Sequence, residues 1–128
     1  MSTYGIEQTV SMTFEEAVPK VIEELKKEGF GILTTIDVQE TLRNKLNASF
    51  HKYVILGACN PPFAFKALQI DDQIGLLLPC NVVVQERDGL TTVSAFDPMT
   101  MGKVMENPAI EPIAEEVRKR LEAVLARL

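Results

Sequence analysis

The chain has no tryptophan, a single histidine and only two cysteines in 128 residues. Two thiols cannot form a disulfide framework, and a chain of this length buries enough surface to do without one. Cations are also in short supply: 13 Lys and Arg stand against 18 Asp and Glu, for a net charge of −5. That deficit excludes the phosphate-contacting electrostatics of sequence-independent nucleic-acid binding and disfavours docking on anionic lipid. The apolar stretches, Tyr53–Leu68 and Ile74–Val84, are interrupted by Asn, Lys, Pro or Gly and do not read as membrane spans. Met1–Ser11 contains no apolar leader segment. The expectation is a cytoplasmic protein with free thiols. There is no glycine-rich phosphate loop, no serine in a nucleophile elbow and no Cys-x-x-Cys.

What the chain does have is a hydrophobic middle. Between Phe50 and Val84 only Lys52, Lys66, Asp71 and Asp72 are charged, about half the chain-wide frequency. Both lysines are read as snorkelling to the surface and the two aspartates as solvated neighbours in a turn. With no linker or repeat, residues 1–128 read as one domain.

Periodicity and punctuation set the elements. Ile6, Gln8 and Val10 lie in a short first strand. Thr13 and Glu16 form a capping box before a stripe of Phe14, Ala17, Val18, Val21, Ile22 and Leu25. Pro19 implies a kink or a late start in that helix, and Gly29 ends it. Phe30–Ile36 is a β-branched strand, and Asp37 with Glu40 caps a second helix over Val38–Leu46. His51–Cys59 is a strand ending at Asn60-Pro61-Pro62, where Asn60 is placed to cap a buried helix over Phe63–Ile70. Ile74–Glu86 and Leu90–Phe96 flank Asp88-Gly89, a type I′ hairpin signal, with Pro79 breaking the first arm. The segment from Pro98 to Pro108 reads as irregular, and Pro112 opens a last amphipathic helix. The order β-α-β-α-β-α-β-β-α describes a two-layer α+β domain with a mainly antiparallel sheet covered by helices.

Two segments stand apart chemically: Gly57-Ala58-Cys59-Asn60-Pro61-Pro62 and Leu78-Pro79-Cys80-Asn81-Val82. Each sets a Cys-Asn pair at a break in regular structure. With Tyr53-Val54-Ile55-Leu56 and Gly75-Leu76-Leu77, they make the chain resemble the domain-of-unknown-function family 302 along nearly its whole length. The resemblance implies a compact α+β homodimer and no assigned reaction.

Three functions follow as expectations. The first is a non-catalytic module holding a small apolar or anionic ligand, or a soft metal, in a pocket near Cys59, Asn60, Cys80 and Asn81. Cys80, Met99 and Met101 are the ligand types that copper(I) prefers. The second is a thiol enzyme or redox sensor using Cys59 or Cys80. His51 precedes Cys59 by eight residues on one strand, about 26 Å at about 3.3 Å per residue, so that pair cannot meet. Cys80 and His51 are left free to meet across strands. The third is an interaction protein acting through its dimer surface. Against all three stands the plain packing reading, in which both thiols fill small core spaces and the asparagines satisfy backbone groups.

Overall fold

The computed structural model describes residues 3–128. Five strands form one open antiparallel sheet: β1 (Gly5–Val10), β2 (Gly31–Asp37), β3 (Lys52–Cys59), β4 (Cys80–Arg87) and β5 (Leu90–Phe96), in the spatial order β1-β5-β4-β3-β2. Four of them are sequential neighbours, so the sheet is a meander with helices inserted in two of its connections. Among the described residues, five α-helices accompany it: α1 (Phe14–Lys27), α2 (Val38–Leu46), α3 (Pro61–Ile70), α4 (Met99–Met105) and α5 (Glu111–Ala126). The α+β architecture and its element order match the expectation from the sequence.

The core lies on one face of the sheet. Val54, Leu56 and Ala58 of β3, Val82 and Val84 of β4, and Val93 and Ala95 of β5 alternate toward α1 and α5 and are buried there. Val21 and Leu25 of α1 and Leu121 and Val124 of α5 close over them. A second, smaller core of Ala67, Ile74, Met101 and Ile110 sits under α3 and α4.

The punctuation residues act as their chemistry requires. Thr13 and Glu16 make the reciprocal capping box, and α1 runs unbroken from Phe14, so Pro19 does not delay its start. Gly29 has φ +88° and completes a Schellman turn, its N–H donating to Lys26 O and the Phe30 N–H to Leu25 O. Asp88 and Gly89 both take positive φ between the paired Arg87 and Leu90, the type I′ signature.

Three expectations fail locally. The strand expected from Ile74 begins only at Cys80; Asp72–Leu77 forms a 3₁₀ turn instead. Pro79, which has no N–H for a ladder, ends that turn, and Asp71 caps it by accepting from Gln73 N–H at 3.0 Å. The segment expected to be irregular holds α4. There Asp97 accepts from Met99 N–H at 3.0 Å while Met101 is buried. The helix expected to be buried all round hides only Ala67, with Phe65 63% and Leu68 41% exposed.

One buried charge joins the two long helices. Glu24 is 1% exposed, on the inner side of α1. Lys20 approaches it at 2.9 Å and Lys27 at 3.0 Å, while Arg127, just past the end of α5, donates to its other oxygen. Arg127 also reaches Glu28 at 2.9 Å. Hydrogen bonds from Lys20, then Arg127 and Lys27, pull the Glu24 carboxyl from its ordinary 4.5 down to about 2. A depressed folded-state pKa contributes stability above the unfolded value and loses it as pH falls toward the folded one. Melting temperature is therefore expected to drop between pH 4.5 and 2. In Glu24→Gln it should start lower at neutral pH and change far less across that window, as circular-dichroism melts would show.

Candidate functional site

The register of β3 against β4 brings the two Cys-Asn corners together. Ala58 lies opposite Cys80 and Gly57 opposite Asn81. Side chains alternate across a sheet, so the corners meet yet divide between its faces. Cys80 points into the helix side, where a cavity of about 350 Å³ opens between the sheet end, α3 and α5. Cys59 and Asn60 line the same cavity. Asn81 does not: it is exposed on the opposite face, which corrects the expectation that all four residues share one pocket.

The cavity walls are almost wholly apolar. Phe30 and Ala58 come from the sheet side, Phe63, Ala64, Ala67 and Leu68 from α3, and Ile113 and Val117 from α5. Met101 reaches it from α4 and shares it with Cys80, whereas Met99 does not line it. Leu33 stands at the rim, 67% exposed, where a bulge between Ile32 and Thr34 re-aims the chain of β2. Among the described residues, no charged side chain lines the cavity.

Asn60 does not cap α3. Its side-chain amide donates to the Glu28 carbonyl at 3.1 Å, and Arg120 Nη1 donates to the same oxygen at 3.1 Å. A Cβ at Gly29 would sit 3.0 Å from that amide nitrogen, so the glycine is needed for close approach as well as for its φ. The Arg120 guanidinium lies 5.0 Å from the Phe63 ring centroid, fixing one wall of the cavity by cation–π contact. Phe30 follows Gly29 directly and supplies another wall, so the turn that ends α1 also shapes the site.

Burial, with a lesser push from Cys59, raises the Cys80 thiol to about 11, leaving it protonated at neutral pH. Both cysteines are free. At the start of α3, Pro61 and Pro62 carry no N–H, and the Ala64 N–H is taken by the Asn60 carbonyl at 2.9 Å. The anion-stabilising field beside Cys59 is correspondingly thin. His51 cannot assist Cys80: it lies seven residues along β3 from the Ala58–Cys80 pair, about 23 Å away, and its Nε2 donates to Gln85 at 2.8 Å.

Comparison with known proteins agrees with this architecture. The family described as domain of unknown function DUF302 matches residues 6–128. The chain belongs to the DUF302 family. The crystal structure of an uncharacterised conserved DUF302 protein from Bacillus stearothermophilus superposes with a TM-score of 0.92 at 35% identity, covering 98% of each chain. Among curated proteins, none matches. Within this DUF302 chain, no described helix is long and apolar enough to cross a membrane.

Sequence reasoning missed most of the cavity wall. Phe63 and Leu68 read there as core, and the roles of Phe30, Ala67, Met101 and Val117 depend on tertiary contacts that no local pattern encodes. Gly57, inside the first cysteine-asparagine motif, is sterically required. A Cβ there would run into Thr34 Oγ1 and come within 3.0 Å of Pro79 Cγ.

Two outcomes follow from this geometry. In the native protein, Cys80 is expected to resist iodoacetamide at pH 7.5 and to react once denatured, as peptide mass spectrometry would read. Gly57→Ala is expected to destabilise the fold by about 1–3 kcal/mol in urea titrations, the usual range for overpacking. Adding Thr34→Ala should recover part of that loss, because the nearer of the two clashing atoms is removed.

Proposed function

We propose that this DUF302 protein is a non-catalytic binding module whose cavity takes a small, uncharged apolar molecule. The observation that carries the reading is the cavity itself: about 350 Å³, lined almost wholly by apolar side chains, with no charged group among the described residues. Pockets of this size and polarity are the usual form of small-molecule sites, with a few polar atoms fixing orientation. The volume equals roughly a dozen liquid-water shares of about 30 Å³, and water there finds few partners, so its release favours an apolar occupant.

The polar atoms that are present support a neutral ligand. The Asn60 amide is engaged with Glu28, and Cys80 keeps its proton. An anionic ligand would be left without a cation, and a soft metal would first have to displace a thiol proton held at about 11. Among the described residues, no carboxylate or imidazole lines the cavity to act as a general acid or base.

The test is binding of N-phenyl-1-naphthylamine, a neutral apolar fluorophore. Native protein is expected to give a saturable fluorescence rise. Its melting temperature should rise as well, by an amount approaching about 2.7 kcal/mol of stabilisation at a hundred times Kd. Ala64→Leu, which adds bulk to a lining position of α3, is expected to weaken binding at least tenfold while melting no lower than native. The absence of saturable binding, or equal binding by the variant, would overturn the reading.

A further inference from the structure

The opposite face of the sheet carries a second, chemically different groove of about 390 Å³, running from β1 across β5 and β4 to β3. Both tyrosines of the chain, Tyr4 and Tyr53, line it, together with Phe96. The amides of Asn81 and Gln85 lie between them. Among the described residues, its one charged lining residue is Glu7.

The sheet register orders these groups. Ser94 lies opposite Glu7 and donates to its carboxylate at 3.3 Å, holding that charge toward the middle of the face. Tyr53 lies opposite Gln85, whose side-chain oxygen accepts from His51 Nε2 at 2.8 Å, and His51 packs against Tyr53 with ring centroids 5.8 Å apart. Gly5 lies opposite Phe96 and adds no side chain, which keeps that end of the floor low. Among the described residues, no lysine or arginine lines the groove, and the chain as a whole carries −5.

We propose that this groove binds an organic cation, a primary or alkylated ammonium, with its charge against Glu7 and its alkyl groups against Phe96 and Tyr4 at the β1–β5 end of the groove. Charge complementarity selects the occupant. The amides would serve a neutral polar molecule or a cation equally, but a lone carboxylate one strand across from Phe96 stabilises positive charge and repels anions. This site is independent of the apolar cavity, since Asn81 and Cys80 face opposite sides of the sheet.

The test titrates choline into the full chain, followed by amide chemical shifts, beside its uncharged isostere 3,3-dimethyl-1-butanol and beside glucose. Choline is expected to shift amides of β1, β4 and β5, and the isostere to bind about fivefold more weakly or not at all. Glu7→Gln and Phe96→Leu should each weaken choline by about fivefold or more, with N-phenyl-1-naphthylamine binding and melting behaviour retained in Glu7→Gln. Equal binding of the isostere, unchanged choline affinity in Glu7→Gln, or binding of glucose in place of choline would each overturn the proposal.

Discussion

The pairing of Ala58 with Cys80 and of Gly57 with Asn81 governs what this protein can offer a ligand. Antiparallel ladders admit no half-register, and a slip of one residue would turn Val82 and Val84 out of the core. The buried run of Cys80, Val82 and Val84 forbids that slip. The same rule separates the second cysteine-asparagine corner into an inner Cys80 and an outer Asn81, while Cys59 and Asn60, at the end of β3, both reach the cavity. Gly57 tightens the junction further, because only a residue without a side chain lets Thr34 and Pro79 close over β3 at that point.

Around that junction the helices are tied by backbone groups. The Glu28 carbonyl, left without an intrahelical donor at the end of α1, accepts from Asn60 and from Arg120. One oxygen thereby connects α1, the β3–α3 corner and α5, the elements that frame the apolar cavity. The buried Glu24 performs a related task one turn earlier, with Arg127 bringing the end of α5 against α1. Such a pair adds little net stability over an apolar replacement, but it fixes how the helices sit, because a lone buried carboxylate would be far costlier.

What was legible in the sequence was whatever depended on neighbours within four residues. The Thr13–Glu16 box, the Gly29 stop and the Asp88-Gly89 turn are local chemistry, and all three stand in the fold. The 3₁₀ turn at Asp72–Leu77 was hidden because an apolar run before a proline reads equally as strand. α4 was hidden for the opposite reason: its short stretch, Met99–Met105, has little periodicity, and burial of Met101 against Ile110 holds it. The nearness of the two cysteine corners could be suspected from their chemistry. Their division between faces required the register, which is a long-range property. Glu24 gave a faint signal, sitting between Val21 and Leu25 on the apolar stripe, but its partner Arg127 lies 103 residues away.

A sheet covered on one face only creates two solvents within one small molecule. On the helix side, exclusion of water raises the free energy of any charge, which is why the Cys80 thiol holds its proton and why selection there rests on shape and apolar area. On the other side, Glu7, Asn81 and the tyrosines keep water within reach, so recognition must come from directed polar contacts and ring faces. Val82 and Val83 show the division at its narrowest: adjacent on β4, one is buried in the core and the other lines the polar groove. Substitutions of inward residues of β4 should therefore act on the cavity, and those of outward residues on the groove. A change that disturbs both would have to act through the β3–β4 register, where Gly57 is the position with least room to accommodate it.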